Sequence, residues 1–196
     1  MNSAENVKEF AEKAGQVSSV VSFAESVDRV FEKCISLCLE KKACSGNGPV
    51  TIAFPDLPSD HAAGFENLCL KNGIEQVKEN LRRYEKGVDL GITLAAYGIA
   101  ETGTIVAGCS GEDQRLASMI SDLHVILLNE KDIKACDSDI EEDLKKMTLQ
   151  PGSYTAFITG PSRTADIERV LALGVHGPLE LHIIILREEE WQGGRI

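Results

Sequence analysis

The sequence predicts one α/β domain: a largely parallel mixed sheet with helices on both faces. Three observations predict it. Strand-like runs alternate with segments of helical period along the chain. Several of the runs (LGITLAAYGIA, HVILLN, ELHIIIL) are nearly all apolar, as strands buried on both faces are. The 196 residues show no internal repeat, low-complexity tract or linker, which suits a single core. Residues 1–15 read as an N-terminal helical extension and 16–196 as the domain proper.

Residues 5–14 carry alternating charge and predict a short exposed helix. Val17–Phe23 is rich in β-branched residues and suits a strand. Ser22 and Glu25 form a capping box for a helix reaching about Lys42. Its buried stripe would be Val27, Val30, Phe31, Cys34, Ile35 and Cys38, a 3.6-residue period. Asn47-Gly48-Pro49 breaks the chain before a short strand, Pro49–Phe54. Ser59 caps the next helix, which stops at Asn72-Gly73. Residues 74–87 fit either a strand at Ile74–Val77 or a helix carrying Val77, Leu81 and Tyr84.

From Leu90 a buried strand, a tight turn at Glu101-Thr102-Gly103 and a returning strand are expected. HVILLN (124–129) is another strand. Ser138 and Glu141 cap a helix whose inner face is Ile140, Leu144 and Met147. Tyr154–Thr159 is a strand, Thr164–Leu173 a helix, Glu180–Leu186 a last buried strand, and an acidic tail follows.

Composition narrows the function. With 43% hydrophobic and 26% charged residues the chain has globular rather than disordered composition. A net charge of −11 with scattered basic residues leaves no stripe to displace counterions, so nucleic acid and anionic membranes are poor partners. No apolar run approaches the roughly 18 residues a membrane helix needs, and MNSAENVKEF lacks a signal-peptide pattern. A cytoplasmic setting is expected. The cysteines, at 34, 38, 44, 69, 109 and 136, include no Cys-x-x-Cys pair. Iron–sulfur and zinc sites use tighter spacing, so these read as simple thiols, with no metal. Nucleotide-loop, nucleophile-elbow and zinc-helix motifs are missing too, and no cofactor is expected.

Two stretches carry more. GITLAAYGIAETGTIVAG (91–108) and ITGPSRTADIERVLALGVHGPLELHIIIL (158–186) closely resemble the signature blocks of the LUD-domain family, which contains lactate-utilisation protein C. Arg115 and His124 sit where that family places an arginine and a strand-opening histidine. The resemblance is strong over 91–186 and weaker, though collinear, over 16–73. It implies a fold similar to CoA transferases, ribose-phosphate isomerase and glucosamine-phosphate deaminase. It implies an accessory role in oxidising L-lactate to pyruvate, beside two partner proteins that hold iron–sulfur centres. Departures at Ala96, where the family often has an acid, and at Ser121-Asp122-Leu123, where it tends to have Pro-Pro, suit a subgroup with another ligand or partner.

Ligands of parallel α/β sheets bind at the carboxyl ends of strands. If 92–100 and 154–159 run parallel, Glu101 and the Gly160–Thr164 loop share an edge. Glu101 would then act as nucleophile or base, with Thr102, Gly103 and Thr104 as ligand contacts; its Ala-Glu-Thr-Gly turn resembles the Ser-Glu-Asn-Gly turn of CoA transferases. Equally, its carboxylate could accept amides of its own turn or pair with Arg115. Gly160, Ser162, Arg163 and Thr164 would hold a small acyl or phosphorylated anion, or simply cap the helix. Asp166 and Glu168 complement that helix's dipole and weaken anion binding. The helix, about 15 Å long, would carry His176 to the opposite edge, to shape a turn or face a second subunit; homo-oligomerisation stays open. His124 is open between structural and functional roles. An enzyme or carrier acting alone through Glu101 is the alternative to the accessory role.

Overall fold

The computed structural model describes residues 3–45, 49–109, 111–149, 152, 154–165, 171–173 and 177–187. The described elements, in chain order, are α1 (Ser3–Gln16), β1 (Ser19–Ala24), α2 (Val27–Ser45), β2 (Val50–Ala53), α3 (Ser59–Lys71), β3 (Ile74–Val77), β4 (Val88–Leu94), β5 (Tyr97–Ile99) and β6 (Thr104–Cys109). There follow α4 (Glu112–Met119), β7 (Ser121–Asn129), β8 (Ile133–Lys134), α5 (Glu141–Leu149), β9 (Tyr154–Ile158), β10 (Arg163–Ala165), β11 (Leu171–Leu173) and β12 (Glu180–Leu186).

The six-stranded sheet runs β1-β12-β7-β4-β2-β3, every neighbouring pair parallel. On one face α2 and α3 bury Phe31, Cys34, Phe65 and Cys69 against Ile52, Leu90, Ile92, Val125 and Ile184. The predicted stripe of α2, from Val27 to Cys38, is buried throughout. On the other face α1 and a second sheet meet Ile126, Leu128, Ile183 and Ile185 through Val7, Phe10, Ala14 and Ile105. The second sheet runs β8-β5-β6-β9. Its outer side is covered by Ile140 and Met147, and the Tyr97 hydroxyl donates to Asp143 in α5 (2.9 Å).

Several local expectations change. The α1 helix is amphipathic rather than exposed, because Val7, Phe10 and Ala14 are buried. The amide of Arg29 lies 3.5 Å from the Ser26 hydroxyl, so α2 is capped by Ser26, while Ser22 sits inside β1. Ser59 is the first helical residue of α3 rather than its cap. The helix ahead of α5 opens as a 3₁₀ turn, Asp137–Ile140, where Asp139 rather than Ser138 accepts the amides of Ala135 and Cys136 (3.2 and 3.4 Å). The run from Leu90 is split: β4 stays in the parallel sheet, and Tyr97–Ile99 crosses into the second one. The ambiguous segment holds both a strand, β3, and a 3₁₀ turn, Leu81–Arg83.

Helix α4 was not foreseen. It runs back along β4 so closely that a Cβ on Gly91 would lie 2.2 Å from the Ala117 carbonyl oxygen. Only glycine permits that approach.

Candidate functional site

The second sheet decides where the predicted residues stand. β6 is antiparallel to both β5 and β9, so β5 and β9 share one direction and their following turns share one edge. Hydroxyls join the turns: Thr102 donates to Thr104 (2.8 Å), and Thr104 lies 2.8 Å from the Thr159 oxygen. Both turns press on the end of α1. A Cβ on Gly103 would meet the Ala14 nitrogen at 2.3 Å, and one on Gly160 the Val17 oxygen at 2.4 Å. Both glycines have positive φ, +64° and +80°. The Arg163 guanidinium donates to that same Val17 oxygen (2.6 Å). Glu101 is exposed, and its amide donates to Ala135 (3.1 Å), extending the β5–β8 ladder.

This edge is not the carboxyl edge of the parallel sheet. The Ser162 amide donates to Pro178, just before β12 (3.1 Å), and the Leu179 amide to Asp122, at the start of β7 (2.8 Å). The strand-end argument therefore selected the amino edge of the larger sheet, because Tyr97–Ile99 and β9 belong to the smaller one.

The helix expected at 164–173 is also replaced. Arg163–Ala165 pairs antiparallel with Leu171–Leu173, Thr164 opposite Ala172. Bonds from Ser162 to Pro178 and from Arg163 to Val17 hold the segment's start extended, and such tertiary anchors override helical propensity. The pairing returns the chain to where it left, so a Cβ on Gly177 would stand 3.1 Å from Ser162 Cβ. The expected place of His176 rested on that helix. His176, Asp166 and Glu168 themselves lie outside the described residues.

Between β9 and the six-stranded sheet is a cavity of about 310 Å³. His124 and Leu181 reach it from the large sheet and Tyr154, Ala156, Phe157, Ile158 and Thr159 from β9. Ser118 and Met119 of α4, Gly160, Pro161 and Ser162 of the loop, and Gly177 and Pro178 complete the lining. His124 is only 1% exposed, and its Nε2 lies 2.8 Å from the Thr93 hydroxyl. Burial pushes its pKa down from 6.5 to about 3, so the ring is neutral near pH 7. Arg115 stands 5.5 Å over the Tyr154 ring, at the start of β9, whereas Glu101 lies where β9 ends. Glu101 and Arg115 form no ion pair among the described residues, and neither lines the cavity.

A second cavity, of about 380 Å³, opens at the carboxyl edge of β2 and β3. There the connections from β2 and β4 depart in opposite directions, a topological switch point. Asp56, Lys78, Asn80, Arg82 and Gly111–Gln114 line it. Its charges are already engaged. Asp113 accepts the amides of Asn80 and Leu81 (both 2.9 Å), Lys78 pairs with Glu66 (2.8 Å), Arg82 with Glu112, and Gln114 donates to Asp56. Burial raises the Asp56 carboxyl, and the Gln114 bond partly offsets this. Sequence reasoning missed these residues because the strand order, which identifies the switch point, is not written in any one segment. The available signal was Pro55-Asp56 directly after one strand and Asn80 after the next.

Cys34, Cys38, Cys69 and Cys109 are buried and free. Burial pushes the Cys38 thiol up to about 12 and those of Cys69 and Cys109 to about 11. Among the described residues no group of three or more His, Cys, Asp or Glu side chains could hold a metal ion. No described helix is long and apolar enough to cross a membrane.

A parallel α/β sheet overlaid by a small mixed sheet, with a cavity between them, defines the class of protein. The LUD domain family matches residues 7–186, and the chain belongs to that family. It is 29% identical over 157 residues to lactate utilization protein C of Bacillus subtilis, covering 72% of this chain and 63% of that protein. With lactate utilization protein C of Halalkalibacterium halodurans it is 30% identical over 113 residues, covering 56% of this chain and 49% of the relative. An uncharacterized Neisseria meningitidis protein is 28% identical over 155 residues, 74% of this chain and 65% of that protein. The chain thus spans less than two thirds of the length of these relatives. A crystal structure of a DUF162 family protein from Deinococcus radiodurans shares the fold, with a TM-score of 0.60, 18% identity, and coverage of 95% of this chain and 99% of that one.

Proposed function

We propose that this chain serves L-lactate utilisation as an accessory component, acting beside iron–sulfur partner proteins that accept the two electrons released when lactate becomes pyruvate. One observation carries the reading: the second family block lines one cavity, and the first reaches it through a bond to the lining His124. The first block supplies Thr93, bonded to His124; the second supplies Ile158–Ser162, Gly177, Pro178 and Leu181 to the lining. The names of the relatives support the lactate setting. The buried, dispersed thiols agree with clusters being held by partners.

The test is lactate-dependent reduction of an artificial acceptor by the purified chain, alone and then with candidate iron–sulfur partners. Turnover is expected only in the mixture, and it should fall when this chain is omitted. Robust turnover by the single chain, or a mixture indifferent to it, overturns the reading. A second reading, a stand-alone enzyme or carrier for a small acyl or phosphorylated anion, draws support from Gly160 and Ser162 in the lining. Glu101 stands outside that lining and Arg163 is turned to Val17, so this reading rests on the loop.

A further inference from the structure

We propose that the cavity between β9 and the six-stranded sheet binds a small uncharged molecule, an apolar body bearing one hydrogen-bonding group that meets His124. This goes beyond the lactate reading and stands or falls separately from it.

The floor is the first argument. A neutral imidazole offers one donor and one acceptor. Nε2 of His124 is taken by Thr93, and among the described residues that is the ring's one hydrogen bond. A 99%-buried ring bordering a cavity, with its other nitrogen unmatched by described protein groups, is a polar atom awaiting a partner.

Charge is the second. No described lining residue carries a formal charge; the polar groups are the hydroxyls of Ser118, Tyr154, Thr159 and Ser162 beside His124. Burial keeps His124 uncharged. Arg163, one residue beyond the lining, is turned away to the Val17 carbonyl. Arg115, 5.5 Å over the Tyr154 ring, stands outside the lining, so an anion entering here would lose water with no cation among the described lining residues to replace it.

Apolar surface is the third. Met119, Tyr154 and Phe157, all in the lining, are 54%, 45% and 52% exposed. Covering them releases water from apolar surface. A volume of about 310 Å³ is at the small end of ligand cavities, enough for a bicyclic ring.

The test uses two probes of one shape, 2-naphthol and 2-naphthoate, titrated calorimetrically into the full chain at neutral pH. One site for 2-naphthol is expected, with 2-naphthoate bound at least about tenfold more weakly because its carboxylate must desolvate. Ala156→Trp, at a half-buried position in the lining, should fill the space and abolish binding while the circular dichroism stays native. His124→Phe, which keeps the ring's bulk, should weaken 2-naphthol by about tenfold, the loss of one buried hydrogen bond. No binding of 2-naphthol, equal or tighter binding of 2-naphthoate, or binding unchanged in Ala156→Trp overturns the proposal. So does sedimentation showing that the free chain dimerises through this mouth and that Ala156→Trp breaks the dimer.

Discussion

Nε2 of His124 lies 2.8 Å from the hydroxyl of Thr93, joining β7 to β4 on the face that looks toward the small sheet. The contact is diagonal: His124 is in register with Gly91, and Thr93 with Ile126. The bond holds the imidazole in place beneath β9, and its pH behaviour follows from its burial.

His124 should make stability depend on pH. Its pKa drops from 6.5 to about 3 on folding, so between those values the unfolded chain binds more protons and stability falls as pH falls. The contribution is fully present above about pH 6.5 and declines by up to about 1.4 kcal/mol per pH unit below it. Urea unfolding at about pH 7 and about pH 5 should show a loss near 2 kcal/mol that is absent from His124→Gln. Equal slopes for the two proteins would contradict a buried neutral His124.

Two glycines bind the small sheet to α1. Gly103→Ala and Gly160→Ala each place a Cβ within 2.4 Å of α1 or Val17 backbone, at positive φ. Each should destabilise by more than about 1 kcal/mol, since backbone cannot yield as a side-chain tip can. Gly64→Ala is the control: it lies inside α3 with nothing within 4 Å of the added carbon. It should raise stability by roughly 0.5–1 kcal/mol. Thermal unfolding of the three variants gives the signs directly.

Asp113 organises the carboxyl-edge cavity. Its two carboxylate oxygens accept the amides of Asn80 and Leu81 at 2.9 Å each. Asp113→Ala should cost about 1–3 kcal/mol and speed hydrogen exchange at those amides. Unchanged exchange there would show that the loop holds itself.

Thiol reactivity should follow burial. In the native chain at about pH 8, a water-soluble thiol reagent should label half-buried Cys136 well ahead of Cys34, Cys38, Cys69 and Cys109. Those four are buried, and their thiolates are disfavoured. Peptide mapping after timed labelling checks the order; early labelling of Cys34 would require local opening of α2.

Glu101→Gln should change stability by less than about 0.5 kcal/mol, because its carboxylate is exposed. If partner-dependent activity per folded molecule nonetheless falls, Glu101 has a direct role. If it is unchanged, the catalytic reading of this residue ends.

The sequence by itself determined the local features. The apolar period of α2 placed Val27 through Cys38 inside, the stop at Asn72-Gly73 ended α3, and Gly103 marked a turn with positive φ. Each depends on neighbours within a few residues, which is the range over which periodicity and turn chemistry act. The blocks at 91–108 and 158–186 likewise carried the family. Tertiary structure alone decided the rest. Which sheet Tyr97–Ile99 joins depends on β6 and β8, so it also decides which edge Glu101 occupies. Arg163–Ala165 and Leu171–Leu173 pair as strands rather than lying in a helix, with Arg163 held by Val17, which is distant in sequence, and Ser162 by Pro178 beyond the pair. That His124 would be neutral required knowing what lies above it, since burial is a property of the assembled layers rather than of any segment.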